Sequence, residues 1–589
     1  MNRSTFLKLS ALGLAGTTHA GLLARWLSNG PAIVHDDALL DRIIERSDRV
    51  VAQYFESLKN YDEIRYYRTF SDALAAYAAS YCHPKSTYHA SGEVLARMDS
   101  LLDRLLEVQY PNGTMDSGGN RQSPPDTAFF LEKMIPAAEI LKQAGIDASG
   151  GVREKLDTFL VRAGEAVRTG GIHTPNHRWV VSAMLARLHA LFGDEKYLRR
   201  MDQWLAEGIY QNADGNYPER SRNYALVESN AFVTIGRLLD RPELMEIARR
   251  NLVATYYYLE PNGDLVTLDS RRQDQNAPLE MARYYFLYKY LALHFKDDFL
   301  ASIANQIEEF PGFERHALTK LYAFMEDPIL LGRLEPREHP PTTYTKSLPG
   351  SGLVRIRRAD TTASIFGGND KPIQVASGRS NNPTLFTFRK GKAILHSVRV
   401  STTFFSMGYV RGDGVAIDGN RYALTERKEA YYYLPLPADK RNPAGDYPLT
   451  ESLDGRFWSK LDFPERPKDT VVQQSTVTVA EDNGAFTLVF DIDGPPDVDV
   501  TIECCFNQGG RLEGVSPERN GDDYFLRSGT ARYIAGDDVI EIGPGTYAHN
   551  NLRGLDGEAY SVHNGTIRGE GMHVYLTGRT PFRHTMTIR

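Results

Sequence analysis

The apolar residues of this chain change period once, and that change restricts the folds open to it more than any single motif does. From about residue 37 to 330 they recur at helical spacing, as in LDRIIERSDRVVAQYF, VSAMLARLHALF and AFVTIGRLL. After the proline-rich stretch PREHPPTTYTKSLPGSG the spacing becomes that of strands. STVTVAEDNGAFTLVFDIDG alternates apolar and polar residues around an Asp-Asn-Gly hairpin signal, and DVDVTIECCF continues the pattern. At 589 residues the chain is too long for one core. The two periods therefore predict a helical domain over 37–335, a linker over 336–352 and an antiparallel β-sandwich over 353–589.

Within the helical half, Asn/Gly turn signals recur at Gly113, Gly170, Gly215 and Gly263, spaced 57, 45 and 48 residues apart. That spacing suits two helices and their two connections. A repeated hairpin of this size predicts an α/α toroid, an incomplete barrel of helical hairpins in which loops one repeat apart share a face. The fold class expected is thus α+β multidomain: an N-terminal α/α toroid followed by an antiparallel β-sandwich.

Composition narrows the function. With 68 basic and 75 acidic side chains the formal charge is -7, so no global basic excess attracts nucleic acid or an anionic membrane. A polyanionic ligand would have to meet a local cluster of cations. Cys82, Cys504 and Cys505 have neither disulfide-framework nor metal-ligand spacing. The opening MNRSTFLKLSALGLAGTTHA has a basic start, a short apolar run and a small-x-small ending at Ala20. It reads as an export signal over residues 1–20, twin-arginine-like except that Ser4 replaces the second arginine. No apolar run is long enough to span a bilayer, so the expected location is periplasmic or secreted. A P-loop, a GxSxG elbow and an HExxH are all absent from the sequence.

Two loops carry chemistry. In TPNHRWVVSAMLARL, Asn176 and His177 open a helix; Asn176 reads either as a cap or as part of a site. The helix terminus biases a nearby imidazole toward its neutral, basic form. Arg178 follows, and Trp179 can stack on a sugar or fill the core. One repeat later, DGNYPERSRNYALVESN places Tyr217, Glu219, Arg220, Arg222 and Tyr224 in a turn and at the mouth of the next helix. These arginines supply the local charge that the acidic total withholds. LDSRRQDQ adds Arg271 and Arg272, as substrate contacts or as a solvated turn. Tyr224 lies 47 residues after His177, one repeat, which predicts that a toroid presents both on one face. Amide, imidazole, phenol and arginines together suit β-elimination at a uronic acid. An amide neutralises the C6 carboxylate, a base takes the C5 proton, and an acid protonates the departing O4.

At these residues the chain resembles the exported polysaccharide lyases of the heparinase II/III-like group, including the heparinase III and oligoalginate lyase branches. These join an α/α toroid to a β-sandwich and carry an Asn-His pair followed by a segment patterned DG-x3-E-x-S-x2-Y. Here the pattern reads Asn176-His177, then Asp214-Gly215, Glu219, Ser221 and Tyr224. The resemblance implies Asn176 as carboxylate neutraliser, His177 as base or orienting partner, and Tyr224 as acid or acid/base. It implies an acidic, uronate-containing polysaccharide or oligosaccharide as partner and no cofactor. Such lyases often lay a sandwich His or Tyr over the cleft; the nearest candidates are His396 in KAILHSVRV and Tyr409 in FFSMGYVRGDG. Some hold a structural zinc in the sandwich, but no clear His/Asp ligand set stands in this sequence, so no metal is expected. Ala225 replaces the His that often follows the tyrosine, and no one branch's substrate carries over.

Two rivals remain. A glycoside hydrolase needs two carboxylates across the bond, which Asp116, Asp126, Asp214 and Glu219 offer. A non-catalytic glycan-binding protein would use the same aromatics and arginines without turnover.

Overall fold

Helices that are apolar all round alternate with helices that bury one stripe, and this alternation builds the first half. In the computed structural model Arg68–Cys82 buries Phe70, Leu74, Tyr77 and every alanine between them, and Pro124–Gln143 and Pro175–Phe192 are buried around most of their circumference. Between them run Asp37–Ser57, Gly92–Val108, Gly151–Thr169 and Glu195–Ala206, whose buried residues, such as Val94, Met98, Leu101 and Leu105, form single stripes. A helix apolar on all sides belongs inside and a striped one outside. The two kinds make the inner and outer layers of an α/α toroid, with Arg68–Cys82 packed on Pro124–Gln143 and that helix on Pro175–Phe192. The structure describes residues 36–589 except 65, 147–150, 277, 336–337, 369–373, 376–377, 380–381, 519–520 and 553–568. The export signal lies outside the described residues. No described helix is long and apolar enough to cross a membrane.

A short helix, Leu321–Glu326, packs against the inner helices Arg68–Cys82 and Pro124–Gln143. Its last residue, Glu326, accepts bonds from Arg187 and from Arg237 at 2.5 Å, and Asp327 pairs with Arg237 at 3.3 Å. Glu139 belongs to the same cluster: burial and the neighbouring Glu326 push its carboxyl up to about 7.

The turn signals prove to be of two kinds. At 110–114, 212–216 and 260–264 the first residue donates its N–H to the carbonyl four residues on, at 3.0, 2.9 and 2.7 Å, and Gly113, Gly215 and Gly263 adopt φ of 83°, 88° and 92°. A Cβ at Gly113 would stand 2.0 Å from the Arg162 carbonyl oxygen, so only glycine fits there. Two glutamines complete the motif. Gln109 Nε2 donates to the Gly113 and Phe159 carbonyls, and Gln211 Nε2 to those of Gly215 and Ile247. Gly170 is different: it follows the end of helix Gly151–Thr169 and has no positive φ.

The second half is a sandwich of a nine-stranded and an eight-stranded sheet. In the first, Leu353–Arg358, Thr361–Phe366, Phe386–Lys390, Ala393–Thr402, Asp499–Phe506 and Met572–Arg579 pair in that order, all antiparallel. The second is built on Arg421–Tyr433, Lys468–Asp482, Ala485–Asp493 and Phe582–Ile588. Phe386, Leu395, Val477, Leu488, Ile502 and Met586 are among the residues of the core between them. The Asn483-Gly484 turn joins Asp482 to Ala485 with φ of 49° and 85°, both positive as a two-residue hairpin with the strands' own twist requires.

Boundaries depart from the sequence expectation. Thr343–Leu348, within the stretch read as a linker, is the edge strand of the nine-stranded sheet. Alternating polar residues and two prolines just upstream make a strand with one exposed face look like a connection. The chain also divides otherwise than at its period change. Among the described residues, one compact unit runs up to Gly208 with Asn230–Glu246 and Arg283–Arg337; the other holds Ile209–Ser229, Ile247–Ala282 and Glu338–Arg589.

Candidate active-site residues

In the first unit, Thr174 is the N-cap of helix Pro175–Phe192, with extended φ and ψ of -138° and 155°, and Pro175 takes the first helical position. Asn176 is therefore not the cap. It is fully buried and donates from Nδ2 to Thr174 Oγ1 at 3.2 Å. The imidazole of His177 stacks on His173 with centroids 4.6 Å apart and meets Phe129 edge-on at 6.3 Å. Arg68 lies over the other ring of this wall, 4.5 Å from the Phe129 centroid, and pairs with Asp126, which also accepts from Asn120 at 2.8 Å. Arg178 and Trp179 take structural places. Arg178 binds Glu207 and the Gly208 carbonyl, each at 2.8 Å, and Trp179 is 3% exposed against Phe232. As the helix turns past His177, these two side chains point away from its first turn toward the neighbouring helices.

In the second unit, Tyr224 sits in the first turn of helix Arg222–Leu239, half-buried. The Arg272 guanidinium lies 4.3 Å from the centre of its ring, and Nη2 approaches the phenol oxygen at 3.4 Å. Glu219 holds the other arm of Arg272. The loops carrying the two residues are stitched by backbone as well: Arg271 N–H donates to the Glu219 carbonyl and Arg271 Nη1 to the Pro218 carbonyl, both at 2.9 Å. Of the expected substrate contacts here, four are buried, Glu219 at 5% exposure among them. Arg222 is fully buried, lies 3.9 Å over the Tyr258 ring and bonds Asn216 at 3.0 Å. Arg220, at a positive φ of 48°, is 3% exposed, and the Tyr217 hydroxyl meets Ser229 Oγ at 3.0 Å. A turn with an acidic and aromatic interior, Asp269 and Tyr258, draws Arg222 inward.

Sequence reasoning did not single out Asp274. Its Oδ2 accepts Ser221 Oγ at 2.8 Å and the Asn223 N–H at 3.3 Å, and its Oδ1 accepts Ser270 Oγ. Asp274 stands in LDSRRQDQ two residues after the paired arginines, whose charges are the more conspicuous feature of that segment.

In the sandwich, His396 stands exposed at a register shift between Leu395 and Ser397, where a bulge turns its side chain out. Partial desolvation and the Arg389 charge lower its pKa. Tyr409 is buried and donates to Glu503 at 3.0 Å. Glu503 also meets His573 Nδ1 at 2.8 Å, and although burial opposes its charge, bonds with Cys505 and Glu503 raise the His573 imidazole to about 10. This Tyr-Glu-His set was not legible, because Glu503 and His573 lie on paired strands some seventy residues apart. Among the described residues no three His, Cys, Asp or Glu side chains gather as a metal-binding group.

Three of the four carboxylates a hydrolase would use are engaged by other groups. Asp126 is held by Arg68 and Glu219 by Arg272. Burial pushes Asp116 up, but bonds from Arg121, the Gln122 N–H and Tyr110 bring it below its ordinary range. Burial in its turn raises Asp214.

No protein-family profile matches the chain, and no curated protein sequence does. Solved structures do. A heparinase III structure is 12% identical over 89% of this chain and 76% of its own, with a TM-score of 0.55. A chondroitin AC lyase of Streptomyces coelicolor A3, in complex with chondroitin sulphate, is 12% identical over 97% and 82%, also with a TM-score of 0.55. A Paenibacillus xanthan lyase is 11% identical over 96% and 58%, with a TM-score of 0.52. The chain thus has the fold of these polysaccharide lyases, a helical toroid joined to an antiparallel β-sandwich.

Proposed function

We propose that the protein is an exported polysaccharide lyase that cleaves a uronate-containing polysaccharide or oligosaccharide by β-elimination. The observation that carries this reading is the Tyr224–Arg272–Glu219 arrangement, a phenol with a guanidinium fixed against its ring and oxygen. The fold shared with three lyases supports it. In the reaction the C5–H electron pair becomes the second bond of C4=C5, the C4–O4 bond breaks, and the proton count balances when O4 leaves protonated. Asn176 hydrogen-bonds the C6 carboxylate and spreads the charge that builds there. His177 takes the C5 proton or orients the group that does, and Tyr224 protonates O4, or performs both transfers. Arg272 offers charge to the phenolate formed when Tyr224 gives up its proton, and Glu219 fixes Arg272 by a charge-assisted bond. The ion pairs of Asp126 with Arg68 and of Glu219 with Arg272, and the lowered Asp116, argue against the hydrolase alternative, which needs two carboxylates across the bond; Asp214, raised by burial, is one carboxylate and not the pair.

The test is ultraviolet absorbance during incubation with a panel of uronate-containing polysaccharides, with reducing ends counted in parallel. Absorbance from a conjugated C4=C5 bond growing with new ends is the expected result. New ends without it make the protein a hydrolase. Binding without either change on every glycan of the panel favours a non-catalytic role.

A further inference from the structure

We infer that Asp274 is a positioning residue that sets Tyr224 and Arg272 in register. The inference rests on the lyase reading only for its consequence in turnover; the geometry stands by itself. Ser221 occupies the N-cap of the tyrosine's helix: its carbonyl accepts the Ala225 N–H at 2.9 Å, and its Oγ accepts the Tyr224 N–H at 3.1 Å. The same hydroxyl donates to Asp274 Oδ2 at 2.8 Å, and that oxygen also takes the Asn223 N–H at 3.3 Å. The arginine side repeats the device. Ser270 Oγ accepts the Arg272 N–H at 3.1 Å and donates to Asp274 Oδ1. One carboxylate therefore grips two serine hydroxyls, one per oxygen, and each serine holds the backbone N–H of one partner. The loop is anchored further by Gln275, whose Nε2 donates to the Ser270 carbonyl at 3.3 Å and whose own carbonyl accepts from Asn382 at 3.2 Å.

A carboxylate suits this post because both its oxygens accept. An amide of the same shape accepts at one oxygen only, so in Asp274→Asn one of the two serine hydroxyls loses its acceptor and faces an NH2 donor instead. Ser221→Ala removes the tyrosine half of the device and Ser270→Ala the arginine half, whereas Ser221→Thr keeps the hydroxyl.

The experiment measures these four variants of the full chain by kinetics, circular dichroism and fluorine NMR of protein carrying 3-fluorotyrosine, with the Tyr224 signal assigned by its loss in Tyr224→Phe. Asp274→Asn, Ser221→Ala and Ser270→Ala are expected to lower kcat by ~10²-fold, the cost of an ångström-scale misplacement, while KM changes little and the fold is retained. The Tyr224 fluorine signal should shift in all three, and Ser221→Thr should restore both readings. A signal that stays in place in Asp274→Asn overturns the inference, as does a loss of kcat that only tracks loss of folded protein. Full activity in Tyr224→Phe would instead sink the lyase reading, and the fluorine signal would still decide the role of Asp274.

Discussion

At the scale of single residues, the arrangement makes Tyr224 and Arg272 separable by substitution. Tyr224→Phe removes one oxygen and keeps the ring on which Arg272 stacks, so kcat should fall by ~10²–10⁴-fold with the melting temperature nearly unchanged. Full turnover in a continuous absorbance assay would refute the role. Arg272→Lys keeps the charge but loses the planar face on the ring and one of the two arms that meet the phenol oxygen and Glu219. Its expected phenotype is a kcat at least ~10-fold down, measured at saturating substrate; a lysine variant with wild-type kcat would show that charge alone suffices. Of the residues named from the sequence, Glu219 and Tyr224 both meet Arg272, and their closeness to each other in one segment was legible in their spacing. Arg220, Arg222, Tyr217 and Trp179 were not distinguishable from them, because whether a side chain in a turn faces a cleft or its own loop's interior is decided by backbone geometry. The φ of Arg220 is such a case.

At the scale of elements, the short helix Leu321–Glu326 brings three carboxylates, Glu139, Glu326 and Asp327, against two arginines, Arg187 and Arg237. Burial raises Asp327 to about 6 and burial with Glu326 raises Glu139 to about 7, whereas Glu326, although burial opposes it, is held near 2 by the arginines. A raised folded-state pKa means the folded protein keeps a proton that the unfolded chain has released. That contribution is whole below about 4.5 and is lost as the pH climbs through 6 and 7. Melting temperatures should therefore fall as the pH rises from about 4.5 to about 7, with Glu139 a main source of the slope. Glu139→Gln is neutral throughout and should flatten much of that slope; an unchanged slope would exclude Glu139 as its source. Elements themselves were readable where local chemistry governs them, as at the Asn483-Gly484 hairpin and the turn at Gly113. The repeated glutamine before that turn escaped notice because Gln109 reaches a carbonyl fifty residues away at Phe159, a tertiary contact with no local sign.

At the scale of the whole molecule, the change of hydrophobic period is a change of secondary structure and not of compact unit. Segments 209–229 and 247–282 look helical or loop-like in sequence, yet they cluster with the sandwich. Glu260 shows why: it bonds Arg355 at 2.8 Å, Thr362 and Arg389, all on sandwich strands, and Asn216 bonds Ser351 at 3.0 Å. A fragment ending at residue 337 would strand the buried Glu260 without its arginines, a loss of several kcal/mol for a buried ion pair. It should be digested rapidly within 209–282 under limited proteolysis, where the full chain resists; equal resistance would show that the helical half is self-sufficient.

The shared strands and loops bear on how such proteins could trade parts. A recombination event at the proline-rich stretch, the obvious seam in the text, would deliver a sandwich to a foreign ring that lacks its glutamate and asparagine partners. The unit that keeps these contacts is instead discontinuous: residues 338–589 together with 209–229, which carries the tyrosine, and 247–282, which carries the arginine. Exchanging whole halves at residue 337 would separate Glu260 from Arg355, so a chimera joined there should be less stable than one that moves 209–229 and 247–282 together with 338–589.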